Sequence, residues 1–232
     1  MPETSVAASP ADVLDQLLQQ RHSCRSFLPK AVPRSVIEQI LQSAQRTGSW
    51  CNSQAWEVSI ASGAATERLR DALMKAATSR APLDGDFPFP AEYRGVYQER
   101  RRECGFQLYE SVGIAKGDRE GSGRQALENF RLFGAPHVAI LTSDAGLGGY
   151  GAVDVGGYVQ VLMLAMQAHG VASIAQAALA SQSGLVKEVL GIPAERLMVC
   201  GISFGYEDAA HPANAFRTTR APLSEVVSWV DA

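Results

Sequence analysis

Residues 153–169 read VDVGGYVQVLMLAMQAH, a long run of mostly apolar side chains that stops at Gly170. The run predicts a helix with apolar residues on nearly all of its sides, and such a helix must be buried. A chain of 232 residues is small for covering a helix all round, so we expect a second subunit to cover part of it. The run is interrupted by Asp154, Gln160 and Gln167 and is too short to span a bilayer, so we expect no membrane span.

Shorter helices and strands are predicted on both sides of that run. The predicted helices cover residues 10–20, a segment from Pro33 to about Ala44, and residues 67–78, 91–112, 127–133, 184–190 and 224–230. The predicted strands cover residues 57–61, 138–142, 171–174 and 197–204, with a loop over 84–90 and an extended arm over 211–220. This alternation predicts an α/β or α+β class, and the length fits one domain.

Composition excludes several classes of protein. Hydrophobic residues make up 46% and charged residues 19%, which predicts a globular core, and the net charge of −3 with no basic stripe argues against nucleic-acid binding. The N-terminal residues lack a signal-peptide pattern, and we expect a cytoplasmic protein. The four cysteines have no zinc spacing, so we expect reduced thiols and no metal. They are Cys24, Cys51, Cys104 and Cys200.

Three polar clusters are candidates for binding chemistry. Residues 21–27, RHSCRSF, and residues 214–220, NAFRTTR, each carry two arginines with hydroxyls close by. The planar guanidinium group of arginine matches phosphate oxygens, so the two clusters together are suited to gripping a phosphate. Residues 50–56, WCNSQAW, place amides between two tryptophans, which suits the mixed donor and acceptor edge of a flavin or a base. Each cluster alone also fits a solvated helix end, a surface arm or a polar turn.

Two short glycine motifs suggest other enzymes. Residues 146–151, GLGGYG, match the dinucleotide-binding pattern, but the next predicted strand leads into Ala175-Gln176-Ala177 without the acid that would hold a ribose. Residues 201–205, GISFG, match a nucleophile elbow, but the only later histidine is His211, which is too close to build a triad. We therefore expect neither a Rossmann dehydrogenase nor a serine hydrolase.

Taken in order, the motifs resemble the FMN-dependent nitroreductase family over nearly the whole chain. Residues 21–25 and 50–56 are followed by 170–179, GVASIAQAAL, by 201–206, GISFGY, and by the arm 214–220. Residues 129–136, NFRLFGAP, resemble the subgroup that reduces nitroaromatics. The chain departs from the family at Ala55, where proline is common, and at Thr218, where some relatives have a basic residue.

The resemblance implies an α+β fold with a mainly antiparallel central sheet wrapped by helices, in a single domain over residues 1–232. It implies an intertwined homodimer with FMN at the interface, with Asn52 and Gln54 reaching the flavin from the partner subunit. The Arg21–Arg25 cluster and Arg220 would hold the phosphate and ribityl chain, and Ala175–Ala177 would lie along the isoalloxazine. The full set of cofactor contacts would be Arg21, His22, Ser23, Arg25, Asn52, Ser53, Gln54, Ala175, Gln176, Ala177, Gly205, Arg217 and Arg220.

The implied reaction is reduction of FMN by NADH or NADPH, followed by reduction of a nitroaromatic compound in the same cavity. A lid insertion over about residues 87–131 would line the substrate site, although aromatics at helical spacing are also typical of a core. The candidate substrate contacts are Trp50, Tyr93, Tyr97, Phe106 and Tyr109. The sequence leaves open the choice of NADH or NADPH, the acceptor and the extent of reduction. It also leaves open a quinone or flavin reductase, a dehalogenase-like relative and a non-catalytic flavin protein; no side chain is expected to act as acid or base.

Overall fold

The computed structural model describes residues 8–231. Its centre is a four-stranded sheet in the order β1-β2-β4-β3, in which every neighbouring pair is antiparallel. The strands are β1 (Trp56–Ser62), β2 (His137–Asp144), β3 (Ala172–Gln176) and β4 (Arg196–Gly205). The predicted antiparallel sheet is confirmed, and each predicted strand lies within two residues of the observed bounds.

Eight α-helices surround the sheet within the described residues. They are α1 (Pro10–Gln20), α2 (Arg34–Ala44), α3 (Ala64–Ser79), α4 (Gly95–Ser111), α5 (Arg119–Leu127), α6 (Gly148–Ala168), α7 (Ala177–Ala180) and α8 (Ser183–Leu190). Helix α1 begins as the sequence predicts, because the Ser9 hydroxyl accepts from the Asp12 backbone N–H while the Asp12 carboxylate accepts from the Ser9 N–H. The helix α5 and the short helix α7 were not predicted.

Two predicted helices are wrong. The helix predicted over 127–133 is replaced by the end of α5 and a turn, in which Leu132 and Phe133 have φ of 57° and 52°. Their apolar spacing reflects burial of that turn, since both side chains are less than 10% exposed. The helix predicted over 224–230 is reduced to one 3₁₀ turn, Leu223–Glu225, and Trp229 and Val230 are exposed.

Of the glycines in residues 146–151, Gly148, Gly149 and Gly151 belong to the start of α6, which begins at Gly148 rather than at the predicted Val153. Gly146 lies in the 3₁₀ turn before it. A Cβ on Gly151 would collide with the Ser143 side chain, so this glycine allows α6 to pack closely on β2. The strand after α6 is β3, which pairs with β4 and not with β2. The stretch therefore packs a helix on an antiparallel sheet and does not form the first turn of a parallel βαβ unit.

The core lies on both faces of the sheet. Along β2, Val138 and Ile140 pack on one side with α3 and α8, whereas Ala139 and Leu141 pack on the other side with α2 and α6. All four side chains are fully buried, which explains why β2 reads as a continuous apolar run. Ser203, the candidate nucleophile, is buried in β4 and donates to the Gln176 side chain, as expected of a strand residue.

Helix α6 is buried on one side only in the single chain. Val155, Tyr158 and Leu162 face the core, whereas Tyr150 and Val153 are 63% and 68% exposed. The prediction that another subunit covers this side of α6 stays a prediction.

None of the helices within residues 8–231 combines the length and apolar character that crossing a membrane requires. In the same part of the chain, no three histidine, cysteine or acidic side chains cluster as metal ligands would.

Candidate functional site

The Arg21–Phe27 segment runs along the outer edge of β3. The Cys24 N–H donates to the Ser173 carbonyl at 3.1 Å, and the Leu28 N–H donates to the Tyr206 carbonyl at 2.8 Å. Extended backbone sends alternate side chains to opposite sides. Cys24 is therefore buried, while Ser23 and Arg25 line a cavity.

Asn214 ties this segment to the C-terminal arm. Its Oδ1 accepts from the Arg25 N–H at 2.6 Å, and its Nδ2 donates to the carbonyls of Ser26 at 2.9 Å and Asp208 at 3.0 Å. Asn214 is 3% exposed, and its amide oxygen and nitrogen both bond to groups within the protein. Asn214 thus brings the second arginine cluster against the first.

The two clusters meet in a cavity of about 680 Å³, called here the arginine cavity. Within residues 8–231, Asp15 is the only acidic residue in its lining. Six residues predicted to contact the cofactor line it together: Arg21, His22, Ser23, Arg25, Arg217 and Arg220.

The electrostatics of the arginine cavity suit a phosphate. Among residues 8–231, none of the four guanidinium groups lies within 4.0 Å of a carboxylate. Burial lowers the pKa of Arg25, and burial together with the nearby Arg220 charge lowers the pKa of Arg21. Burial disfavours the positive charge of a guanidinium group unless an anion lies beside it. A dianionic phosphate would supply that anion, so these residues fit the FMN phosphate.

A second cavity of about 300 Å³ lies at the C-terminal end of β3. It shares Ser23 and Arg25 with the arginine cavity and is lined by Ala175, Gln176 and Ala177. The Gln176 side chain is 2% exposed, donates to the Asn129 carbonyl at 2.9 Å and accepts from Ser203. Because that amide is engaged with protein, a ligand here would meet the main chain of Gln176 rather than its side chain.

Two residues predicted to contact the cofactor, His22 and Gly205, have structural roles in the single chain. The His22 ring lies with Nδ1 3.0 Å from the Gln20 carbonyl and with Nε2 3.0 Å from Glu207 Oε1, so its imidazole holds the edge segment in place. Gly205 lines neither cavity. A Cβ on Gly205 would lie 2.7 Å from the Pro136 ring, which explains why glycine ends β4.

The loop with Asn52, Ser53 and Gln54 lines neither cavity in the single chain. Cys51, Asn52 and Gln54 have φ of 49°, 55° and 50°, a left-handed conformation that costs energy in residues other than glycine. Asp154 of α6 holds this loop: its carboxylate lies 3.2 Å from the Trp50 N–H and 3.3 Å from the Ser53 hydroxyl. Sequence reasoning did not identify this role of Asp154.

The predicted lid begins in a loop and continues through α4, which has no buried residue. Tyr93, Tyr97 and Phe106 are 41%, 67% and 49% exposed, so these aromatics do not form a core in the single chain. Tyr109 lines the cavity at the end of β3, whereas Trp50 is exposed and packs edge-on to Tyr150 at 4.5 Å. Sequence reasoning also missed that Cys104, Gln160 and Phe216 line the arginine cavity.

The nitroreductase family model matches residues 18–206. The chain belongs to the nitroreductase family. It is 39% identical to Nitroreductase NfnB of Mycolicibacterium smegmatis over 221 residues, which cover 94% of this chain and 93% of that protein. It is 32% identical to a 4-nitrobenzoate reductase of Nocardioides sp., over 94% of this chain and 90% of that protein.

Solved structures agree with the family assignment. The FMN-dependent nitroreductase NfnB from Mycobacterium smegmatis, in complex with NADPH, superposes with a TM-score of 0.91 at 37% identity, covering 96% of this chain and 100% of that one. The FMN- and NADPH-dependent NfnB from sphigopyxis sp. strain HMH superposes with a TM-score of 0.90 at 29% identity, covering 94% and 99%. The nitroreductase-like fold implied by the sequence is confirmed.

Proposed function

We propose that the protein is an FMN-dependent NAD(P)H oxidoreductase that reduces nitroaromatic compounds. The observation that carries the proposal is the arginine cavity, where four arginines without carboxylate partners in the described chain meet beside the end of β3. Membership of the nitroreductase family supports it, as does the similarity to a structure solved with NADPH. The names of the curated relatives support a nitroaromatic acceptor.

Within this proposal, Arg21, Arg25, Arg217 and Arg220 hold the phosphate of FMN. Ser23 and Arg25 line both cavities, so they lie where the ribityl chain passes from one to the other. The small side chains of Ala175 and Ala177 let the ring system approach the end of β3 closely.

When bound, FMN supplies the redox chemistry by taking a hydride from NADH or NADPH and passing reducing equivalents to the nitro group. The side chains bind and orient, and solvent supplies the protons. The His22 ring nitrogens lie against the Gln20 carbonyl and the Glu207 carboxylate, so this side chain positions the segment that carries Arg21 and Arg25.

The proposal includes a homodimer in which the loop of Asn52 and Gln54 reaches the flavin of the partner chain. Three features support it: that loop is held away from the arginine cavity, one side of α6 is exposed, and the arm after Pro222 exposes apolar side chains. A second copy that covers these apolar surfaces would bury them.

The first experiment is a visible spectrum of the purified protein, followed by anaerobic addition of NADH or NADPH. We expect flavin bands that bleach with a nicotinamide and return when a nitroaromatic compound is added. Recovery only with quinones would assign a quinone reductase. A protein that is colourless and does not take up FMN would contradict the proposal.

Subunit mixing tests the shared site. An Arg21→Ala chain and an Asn52→Ala/Gln54→Ala chain each make impaired homodimers, but a mixed dimer contains one intact site. Random mixing of such impaired chains should restore about a quarter of the wild-type activity. The control mixes Arg21→Ala with Arg220→Ala chains. Both residues line the arginine cavity of their own chain, so every cavity in a mixed dimer carries one of the two substitutions, and no activity should return. No recovery in the first mixture would refute a site built from two chains.

A further inference from the structure

The lid has a cavity of its own, of about 520 Å³, between the end of α4, the loop that follows it and the start of α5. We call it the lid cavity. Its apolar side is formed by Phe106, Tyr109 and Ile114. Gly113 and Gly117, with φ of 71° and 93°, turn the loop that closes the cavity.

Two cations face this apolar side. The Lys116 ammonium lies 5.9 Å from the centre of the Phe106 ring, and Arg119 lines the cavity from the first residue of α5. Within residues 8–231, neither cation has a carboxylate within 4.0 Å. By contrast, Arg124 on the same helix pairs with Glu120 at 2.5 Å.

The acids at the lid cavity do not neutralise these cations. Asp118 accepts from the Gly121 N–H at 2.8 Å and caps α5, so that carboxylate already serves the helix. Glu110 is the other acid in the lining and has no cation within ion-pair distance in the described chain. The lid cavity therefore combines aromatic rings with two cations that form no ion pair within the described residues.

The lid cavity adjoins the proposed flavin site. Tyr109 lines both the lid cavity and the cavity at the end of β3, so one side chain separates the two. A molecule in the lid cavity would lie next to the place where the proposed function puts the flavin ring.

We propose that the lid cavity binds a planar ring that carries an anionic group. The ring lies against Phe106 and Tyr109, and the anion pairs with Lys116 and Arg119. This inference rests on the proposed function, which brings two such groups to the site: the carboxylate of an aromatic acid acceptor, or the 2′-phosphate of the adenosine in NADPH. A neutral nitroaromatic lacks such an anionic group, and NADH lacks the 2′-phosphate.

The test neutralises both cations in a Lys116→Met/Arg119→Gln variant and uses Arg124→Gln, which lies on the same helix, as the matched control. One arm compares kcat/KM for 4-nitrobenzoate with that for its methyl ester. The other arm compares NADPH with NADH while a neutral nitrobenzene serves as acceptor.

If the carboxylate binds in the lid cavity, the preference for the acid over its ester falls about tenfold in the double variant. If the 2′-phosphate binds there, the preference for NADPH over NADH falls about tenfold. Arg124→Gln should change neither preference.

A binding measurement separates this inference from the proposed function. Calorimetric titration of the purified protein with 4-nitrobenzoate and with adenosine 2′,5′-bisphosphate should show one ligand whose affinity drops about tenfold in the double variant and is unchanged in the control. If the double variant changes neither a preference nor an affinity, while the enzyme still reduces nitrobenzene, the inference is overturned and the proposed function stands. If no nicotinamide reduces the protein, the proposed function fails, and the titration still decides whether the cavity binds an anionic ring.

Discussion

The arginine cavity and the lid cavity are built in opposite ways. The arginine cavity is lined by the edge segment that pairs with β3 and by the C-terminal arm, and buried Asn214 joins these two through three hydrogen bonds to main-chain atoms. The lid cavity is formed around α4, which has no buried residue in the single chain. The proposed cofactor side is thus tied to the core through Asn214, whereas α4 of the proposed lid contributes no buried residue. Specificity for an acceptor can therefore change without loss of the fold.

Among the changes to the two cavities, the largest expected effect on stability is at Asn214, and it tests whether the arginine cavity depends on the core. Asn214→Asp replaces the amide that donates to the Ser26 and Asp208 carbonyls with a carboxylate that repels them. We expect the free energy of unfolding to fall by roughly 3 kcal/mol, because two buried carbonyls lose a donor and face a charge. At about 2–4 °C per kcal/mol, the Tm should fall by roughly 6–12 °C.

The control for Asn214→Asp is Gln42→Glu, the same change of amide to carboxylate at an exposed position of α2, measured by thermal unfolding of both variants. Exposed substitutions usually change stability by less than about 0.5 kcal/mol. Equal Tm shifts in the two variants would show that Asn214 does not join the walls of the cavity.

The next effect concerns the charges of the arginine cavity. Arg21→Ala and Arg220→Ala each remove a charge-assisted contact to the FMN phosphate, worth roughly 1.5–3 kcal/mol, so the Kd for FMN should rise about 10- to 150-fold. Fluorescence titration of the apoprotein measures this change, with Arg124→Ala as a control on the lid side. Unchanged FMN retention in both variants would remove the assigned phosphate site.

The parts of the fold that the sequence predicts well are those whose burial shows in a local apolar pattern. Strand β2 is predicted within two residues because both of its faces are buried, so its sequence reads as one short apolar run. The helix predicted over 224–230 is wrong because an amphipathic pattern needs a surface to cover, and Trp229 and Val230 are exposed in the described chain. The pattern over 127–133 misled because left-handed Leu132 and Phe133 bury apolar side chains without a helix.

The candidate site divides in the same way. The arginine clusters were predicted because motifs with two arginines stand out against a weakly charged sequence, and the structure brings the two clusters into one cavity. Asn214 bonds to Arg25, which lies 189 positions away in the sequence, and Asp154 bonds to Trp50, which lies 104 positions away. Contacts at such a separation exist only in the folded chain, so no local pattern in the sequence predicts either role.

A smaller effect follows from the sheet side of the molecule, where His137 is 4% exposed. Its Nε2 accepts from the Val32 N–H at 2.9 Å and must be unprotonated, and burial lowers the pKa of His137 below its usual 6.5. Below pH 6.5 the unfolded chain therefore binds a proton that the folded chain does not. We expect stability to fall with pH below 6.5, by up to about 1.4 kcal/mol per pH unit, and His137 to contribute no pH dependence above it.

Urea unfolding between pH 5 and 7.5 measures the effect of His137. His137→Gln keeps an acceptor for Val32 but does not titrate, so its stability should change less with pH than that of the wild type. His169→Gln, at an exposed position, is the matched control and should follow the wild type. Parallel curves for His137→Gln and the wild type would assign the acid sensitivity to other groups.

The smallest effect on stability is expected in the lid, and a pair of tyrosines, one in the lid and one in the core, compares the two regions directly. Tyr97 is 67% exposed, whereas Tyr158 on α6 is 2% exposed and stacks on Trp56 at 4.8 Å. Tyr97→Ala should change the free energy of unfolding by less than about 0.5 kcal/mol, while Tyr158→Ala should cost roughly 3–5 kcal/mol. If Tyr97 nevertheless contacts the acceptor, its variant alters KM for the nitroaromatic at unchanged Tm. A Tm several degrees below that of the wild type in Tyr97→Ala would instead mean that the lid packs against a surface that the single chain does not show. The lid would then be tied to the core as the cofactor side is, and the difference between the two regions would no longer hold.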